Sequence, residues 1–152
     1  MQLHLDGFIS IKADRMKIYA LLTDPNFIAK TLPDAEDVKV LDGSNLEAKM
    51  KLKVAVVSST MKIRMNINRT EPNSKAAMVA EGIGSGSNLK ITSLFELKGE
   101  GPTTMSWSAD AEITGVMAGL GSSLLKGFAS KKISEIFSGI TKAVEESVDR
   151  LP

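Results

Sequence analysis

The side chains that could carry acid–base chemistry are few, and their spacing places them away from the predicted interior. His4 is the only histidine of the chain, and it lies on the polar side of an alternating segment. One histidine cannot by itself form a triad or a metal site. Asp110 and Glu112 alternate with the apolar residues that follow Trp107, so they should point outward. Catalysis would require an inward acid, for example after a one-residue change of register near Glu96 or Glu112.

The segment GIGSG at residues 82–86 is similar in composition to a phosphate-binding loop. It lacks the lysine and the serine or threonine of a P-loop, and it lies between two predicted antiparallel strands rather than before a helix. A nucleotide site is therefore not expected. The pattern favours a flexible hairpin at the rim of a sheet, where it could gate a cavity.

Five cations should share the outer face of one hairpin: Lys49, Lys51, Lys53, Lys62 and Arg64. The net charge of the chain is only +1, so no overall field attracts nucleic acid or acidic substrates. The cluster is either a solvated face or a local contact for anionic lipid headgroups or an acidic partner. Binding that weakens with salt would favour the second interpretation.

Methionine side chains and the single tryptophan fall on the predicted inner rows of the sheet. Six of the eight methionines lie on or next to these rows: Met50, Met61, Met65, Met78, Met105 and Met117. Methionine fills an ordinary core, but it also repacks around varied apolar ligands. Trp107 fits a core wall or a ligand contact equally well. The residues alone leave both interpretations open.

Length and composition indicate one domain over residues 1–152, long enough to bury a core without disulfides. The chain has no cysteine, which excludes thiolate metal sites and thiol catalysis and fits a reducing compartment. The N-terminus alternates and carries charge, unlike a signal peptide. The longest uncharged run near the C-terminal half, Ile113 to Leu125, is too short to span a bilayer. We therefore expect a cytoplasmic protein.

The periodicity predicts an α+β fold with about seven antiparallel strands. A strand over Gln2 to Lys12 is followed by two short helices, which begin at Asp14 and at Asp24 and the second of which stops at Leu32-Pro33. Six strands follow between Asp37 and Thr114, with a turn signal at Val57-Ser58-Ser59 and Val56 on an inner row.

A long helix is predicted from about Met117 to Arg150. Its C-terminal half has an apolar stripe that continues to Val148 and Leu151. Its N-terminal half is rich in glycine, serine and alanine, which lets a sheet or a ligand approach closely. These small residues, between Gly115 and Gly127, suit either close packing alone or a lid beside a cavity mouth.

Three segments together resemble the carbon monoxide dehydrogenase G-subunit family over essentially the whole chain. They are FISIKADRMKIYALLTDPNFIAKTLP, the glycine-rich EGIGSG, and ITGVMAGLGSSLL at the start of the last helix. The resemblance implies the helix-grip, START-like fold, in which a curved sheet wraps around the long helix and leaves an apolar cavity. It further implies binding of an apolar ligand of lipid or quinone type, with no cofactor or metal of its own. Membrane recruitment of a molybdenum-containing dehydrogenase is implied as well.

With that fold, two sets of residues become candidate sites. The first set would line the cavity: Met50, Leu52, Ile63, Met65, Met78, Ile91, Phe95, Trp107, Met117, Leu120, Leu124 and Phe128. The second set would touch a membrane or a partner: Leu125, expected to be partly exposed, and the five cations of the basic hairpin.

The expected function is a non-catalytic module that binds an apolar molecule and associates peripherally with the inner face of the membrane, alongside dehydrogenase subunits. Two alternatives come from other classes. One is a structural adaptor or maturation factor with a solid core. The other is a START-like cyclase or hydrolase, which needs an inward acid or histidine.

Overall fold

A computed structural model describes residues 1–32 and 34–149 of the chain. Seven antiparallel strands form one sheet in the order β1-β7-β6-β5-β4-β3-β2. The strands are β1 (Gln2–Ile11), β2 (Ala35–Val40), β3 (Asn45–Val54), β4 (Val57–Glu71), β5 (Lys75–Gly84), β6 (Ser87–Lys98) and β7 (Thr103–Gly115). The helices are α1 (Arg15–Leu22), α2 (Pro25–Thr31), a 3₁₀ helix (Val116–Leu120) and α3 (Ser122–Asp149). The predicted α+β helix-grip architecture is confirmed.

Both short helices begin where the sequence predicts, because a carboxylate caps each one. Asp14 Oδ1 accepts a hydrogen bond from the Lys17 backbone N–H at 2.9 Å. Asp24 Oδ1 accepts one from the Asn26 N–H at 2.9 Å, and Pro25 occupies the first turn. The described part of α2 ends before Leu32, while Pro33, the predicted stop, lies outside the described residues.

The turn between β3 and β4 lies two residues earlier than predicted. Val54 pairs with Val57, so the turn consists of Ala55 and Val56. Ala55 has a positive φ of 55°, which is typical of a tight hairpin turn. The prediction that Val56 lies on an inner row is wrong, since its side chain is 94% exposed at the tip of the turn.

The predicted continuous helix from Met117 is also wrong at its start. The chain forms the 3₁₀ helix first, and α3 begins only after Gly121, which has a φ of 90°. Gly115 has a φ of 88°, and a Cβ there would collide with the carbonyl oxygen of Gly86. Two left-handed glycines therefore bend the chain twice before the long helix. Arg150, Leu151 and the side chain of Val148, which the prediction included, lie outside the described residues.

Candidate functional site

The inner face of the sheet is filled on one side and open on the other. On β3 and β4 every inward side chain from Leu46 to Val54 and from Met61 to Ile67 is at most 9% exposed. We call these inner rows the packed region. Half-buried side chains lie instead in the middle of β6, β7 and β1: Leu5, Ile9, Ile91, Phe95, Trp107, Ala109 and Ala111. We call these residues the open region.

Small side chains account for part of the difference. Apart from Ala48 and Val54, the packed region carries methionine, isoleucine and leucine on adjacent strands, and such side chains pack closely in protein interiors. The open region includes Ala109 and Ala111 on β7 and is bordered by Gly7 on β1. Of these three small residues, Gly7 lines the cleft between β1 and α3.

That cleft measures about 750 Å³, and Leu5, Ile9 and Trp107 of the open region line it. Leu5, Gly7 and Ile9 form its β1 wall, together with the outward-facing Asp6 and Phe8, and Trp107 reaches it from β7. Its helix wall repeats every three or four residues and so follows one stripe of α3: Ser130, Ile133, Ser134, Phe137, Ser138, Thr141, Lys142, Glu145 and Glu146.

Two aromatic rings form the apolar floor of the cleft. Trp107 and Phe137 have ring centroids 5.0 Å apart at an interplanar angle of 58°, within the range of favourable aromatic pairs. Gly7 pairs directly with Trp107 across the β1–β7 ladder. A Cβ at Gly7 would lie 3.0 Å from Trp107 Cζ2. The indole therefore lies close against the β1 backbone, in space that the missing side chain provides.

The helix wall offers hydroxyl groups beside this floor, and its far end carries charges. Ser130, Ser134, Ser138 and Thr141 recur along the stripe. Glu145 Oε1 accepts a hydrogen bond from the Lys12 backbone N–H at 3.1 Å, which joins the end of β1 to α3. The cleft thus combines an apolar floor with hydroxyls along one side and a charged end, an arrangement suited to a molecule with an apolar body.

The sequence profile of the carbon monoxide dehydrogenase G-subunit family (CoxG) matches residues 7–145, from the glycine beneath Trp107 to the glutamate at the charged end of the cleft. The chain belongs to this family. The resemblance noted from the three sequence segments is thereby confirmed. The family is one of accessory subunits, so its name relates the chain to carbon monoxide dehydrogenase. No curated protein sequence matches the chain.

Solved structures share the CoxG chain's fold at low sequence identity. A conserved protein from Geobacillus kaustophilus has a TM-score of 0.86 and 20% identity, covering 95% of this chain and 97% of that one. The ZhuI aromatase/cyclase from Streptomyces sp. R1128 has a TM-score of 0.67 and 12% identity, with 97% and 96% covered. A START superfamily protein from Mycobacterium smegmatis has a TM-score of 0.66 and 13% identity, with 94% and 97% covered. These similarities confirm the START-like fold.

The predicted lining residues of this CoxG chain fall into three groups. Met50, Leu52, Ile63, Met65 and Met117 are buried in the core. Met78, Ile91, Phe95, Leu120 and Phe128 are half-buried against that core. Trp107 alone of the twelve lines the cleft among the described residues, and Leu124 is 43% exposed. Whether any of them contacts a ligand stays a prediction.

The predicted exposures of Leu124 and Leu125 are the reverse of those in the structure. Leu125 was expected to be partly exposed, yet it is only 2% exposed, while Leu124 faces solvent. The cause is the break at Gly121, since α3 takes its rotation from a new start rather than from Met117. Leu125 then shares the buried side of α3 with Ile140 and Val144.

The outward orientation predicted for the carboxylates is confirmed. Asp110 and Glu112 are exposed, and Glu96 forms ion pairs with Lys75 and Lys98 at 3.9 and 3.5 Å. The buried polar side chains in the described part of the chain are hydroxyls, those of Thr23, Ser59, Ser87 and Thr103.

His4 lies on the outer face of β1 between two carboxylates. Its Nδ1 is 2.7 Å from Asp110 Oδ1, and its Nε2 is 2.8 Å from Asp6 Oδ2. These hydrogen bonds, the one to Asp110 first, raise the pKa of the imidazole above its ordinary value of 6.5. The geometry fits a group that links β1 to β7.

Ion pairs engage part of the basic hairpin. Lys49 lies 3.6 Å from Asp37, Lys51 lies 3.2 Å from Glu36, and Arg64 lies 2.6 Å from Glu47. The hydrogen bond from Arg64 lowers the pKa of the Glu47 carboxyl. Within the described residues, Lys53 and Lys62 have no carboxylate within 4.0 Å. The cluster is therefore partly neutralised, and its two cations without such a partner are Lys53 near the β3–β4 turn and Lys62 opposite Lys49.

Sequence reasoning missed Gly7, Phe137 and the serine stripe as site residues. Gly7 interrupts an otherwise alternating strand, and a glycine there signals a close approach. Phe137 lies on the predicted apolar stripe, but nothing in its spacing separates a cleft residue from a core residue. Glu145 and Glu146 also line the cleft, and nothing in their spacing separates them from other charged residues of a helix surface.

Proposed function

We propose that this CoxG chain binds an apolar molecule of lipid or quinone type in the cleft between β1 and α3. In this proposal it presents that molecule to a molybdenum-containing dehydrogenase of the carbon monoxide dehydrogenase type at the cytoplasmic face of the membrane. One observation carries the proposal: a cleft between β1 and α3 is floored by the paired rings of Trp107 and Phe137. The cleft volume of about 750 Å³ lies within the range of small-molecule sites.

Binding would be driven by burial of apolar surface. Each Å² of apolar area removed from water contributes about 25 cal/mol before the costs of association. Trp107 and Phe137 offer flat surfaces on which a ring can pack. The hydroxyls of Ser134 and Ser138 lie on the helix wall, where they would orient a carbonyl or hydroxyl group of the ligand.

A non-catalytic role is the simpler interpretation of this interior. Acid–base catalysis needs a titratable group within hydrogen-bond reach of the substrate. The buried polar side chains of the described residues are hydroxyls, and Asp110 and Glu112 face outward. Asp6, Lys142, Glu145 and Glu146 do line the cleft, and Glu145 accepts a backbone hydrogen bond from Lys12. Ligand carriage requires none of these groups to react.

The test is native mass spectrometry of the chain purified from a lipid-containing host, compared with its denatured mass. A bound mass that is released on denaturation supports the proposal, and extraction then identifies the ligand class. Ser134→Phe should abolish the bound mass by filling the cleft. The matched control Ser106→Phe, on the outer face of β7, should retain it.

A bare protein mass, with no uptake of added phospholipid or menaquinone, would contradict the proposal. A structural adaptor or maturation factor would then be the better interpretation. Equal ligand occupancy in both phenylalanine variants would move the site away from the cleft.

A further inference from the structure

One end of the sheet carries four exposed aliphatic side chains, which we call the tip surface. Val56 lies at the β3–β4 turn and is 94% exposed, and Ile83 lies next to the β5–β6 turn and is 69% exposed. Val116 in the 3₁₀ helix is 57% exposed, and Leu124 in the first turn of α3 is 43% exposed. Exposure of apolar side chains to water is unfavourable. A cluster of them therefore indicates a surface that contacts a membrane or a partner.

The strand registers bring Val56, Ile83 and the start of the 3₁₀ helix to the same end of the sheet, and Leu124 follows that helix in the first turn of α3. Gly84 pairs with Ser87, and Ser87 pairs with Gly115, so the end of β7 lies beside the β5–β6 turn. A Cβ at Gly86 would lie 3.3 Å from Val116 Cγ2. Gly84 also lies against the backbone of Thr60, which places the β3–β4 hairpin directly alongside.

The segments that form this end carry more basic than acidic residues. The part of the β3–β4 hairpin between residues 48 and 63 contains Lys49, Lys51, Lys53 and Lys62 and no acidic residue, and residues 113–134 contain three basic and no acidic residues. Between them, residues 82–95 add only Lys90. Two of these cations are neutralised, since Lys132 bonds Asp34 and Lys51 pairs with Glu36. Glu81 and Glu112 oppose basic residues across the ladders, with Lys90 paired in register to both.

A shallow depression beside Val56 adds hydroxyl groups to this charge. It measures about 220 Å³ and is lined by Lys51, Leu52, Lys53, Ser58, Ser59, Thr60 and Ser85. The Oγ of Ser59 is buried and has no hydrogen-bond partner among the described residues. Ammonium and hydroxyl donors together suit the oxygens of a phosphate group.

We infer that the tip surface docks on an anionic phospholipid bilayer, with Val56, Ile83, Val116 and Leu124 entering the interface and the lysines meeting the headgroups. Short aliphatic side chains on protruding turns suit a fluid interface, whereas protein contacts favour aromatic and arginine anchors in pockets. The inference deepens the membrane part of the proposed function, because it names the surface and the lipid charge.

The absence of cysteine from the chain allows a direct test. Val56→Cys carrying an environment-sensitive fluorophore should shift to shorter wavelength when the protein meets phosphatidylcholine vesicles with about one third phosphatidylglycerol. The matched control is Leu94→Cys, an exposed position on the outer face of β6, and it should not shift. Raising sodium chloride to about 0.5 M should weaken binding strongly.

A second pair of variants tests the energetics in vesicle co-sedimentation. Ile83→Asp should weaken binding to the same vesicles about tenfold by placing a carboxylate in the interface. Leu94→Asp makes the same change of side chain elsewhere and should leave binding unchanged. Both positions are exposed strand sites, so both variants should fold.

The inference is overturned if the full chain ignores anionic vesicles, if both labelled positions respond equally, or if Ile83→Asp binds like the original chain. Specific capture of a dehydrogenase subunit by the tip surface without vesicle binding would also overturn it. Ligand occupancy by native mass spectrometry is measured separately on the same variants. Loss of vesicle binding with the ligand retained would therefore not count against the cleft.

Discussion

The packed region and the open region belong to one sheet with one alternating pattern. The inward side chains of the packed region are buried, whereas those of the open region are partly accessible to solvent. On β3 and β4 the inward positions hold Leu46, Met61 and their large neighbours, and Leu46 and Met61 are fully buried. On β7 and β1 the corresponding central positions include Ala109, Ala111 and Gly7. Alternation therefore determines which face points inward, but it does not determine whether the side chains on that face become buried.

The long helix shows the same contrast on its own surface. One stripe of α3 buries Leu125, Ile140 and Val144 completely or nearly so. The adjacent stripe presents Ser134 and Ser138 to the cleft. A helix that was apolar on both stripes would close onto β1. The serines instead keep one side of the helix compatible with water or with a ligand.

The largest expected effect comes from truncating the packed region. Leu46→Ala should lower the free energy of unfolding by about 3 kcal/mol, since the site cannot collapse around the missing atoms. Ile91→Ala, in the open region, should cost only about 1 kcal/mol because its side chain is already half-exposed. Urea denaturation of both variants measures the difference. Equal losses would mean that the open region is as closely packed as its counterpart.

The next largest effect should come from filling the space above Gly7. Gly7→Ala places a methyl group 3.0 Å from Trp107 Cζ2, so the indole must move. We expect the free energy of unfolding to fall by about 1–2 kcal/mol, whereas replacing glycine by alanine in a strand usually raises it. Emission from Trp107, the only tryptophan, should change as well. Gly43→Ala has nothing within 4 Å and is the control. Unaltered emission in Gly7→Ala would show that the indole is not held by β1.

The fold could be predicted from the sequence because its determinants are local. Alternation specified the strands, and the Asp14 and Asp24 caps specified the helix starts. The two errors, at Val56 and at Gly121, both arise at turns where a positive φ shifts the chain by a residue or two. Helical periodicity gives no sign of such a break. The prediction therefore used the wrong rotation of α3 and exchanged the exposures of Leu124 and Leu125.

The candidate site could be predicted only in part because it depends on which positions are small. Trp107 was recognisable as a large inner-face residue. Gly7 lines the cleft beside it and leaves room for the indole, but one glycine in a strand does not by itself predict a cleft. From the sequence, the serine stripe of α3 looks like an ordinary solvent-exposed side of a helix. It lines the cleft only because β1 lies opposite it in the fold.

A smaller loss of stability is expected from removing the ion pair that holds α3 on the side of the packed region. Lys132 Nζ bonds Asp34 Oδ2 at 2.7 Å and lies 5.7 Å from the centre of the Phe128 ring. This links the helix to the start of β2, while the cleft lies on the other side of α3. Lys132→Met should cost less than about 1 kcal/mol, as exposed ion pairs generally do.

Thermal unfolding should detect that loss, with Lys131→Met as the neighbouring control. Ligand exchange should become faster in Lys132→Met, because a helix less firmly held can move away from β1. Unchanged exchange together with reduced stability would mean that the packed region fixes α3 without this pair.

The smallest expected effect is a pH dependence of the stability of β1, the strand that forms one wall of the cleft. Asp110 and Asp6 raise the pKa of His4 above 6.5, so the protonated imidazole favours the folded chain. That contribution is present below about pH 6.5 and is lost as the pH rises through the raised pKa. His4→Gln should remove this pH dependence. The single imidazole also gives one NMR titration curve, which should report the raised pKa directly.

Hydrogen exchange can then show which region responds, once intrinsic rates are corrected for pH. Because His4 joins β1 to β7 and touches nothing in β3 or β4, amide protection in β1 should fall as the pH rises from 6.5 through the raised pKa of His4, while protection in β3 stays constant. A parallel fall in β3 would mean that the two regions open together. The cleft would then widen only when the packed region also loosens, and ligand exchange would be limited by the stability of the whole sheet.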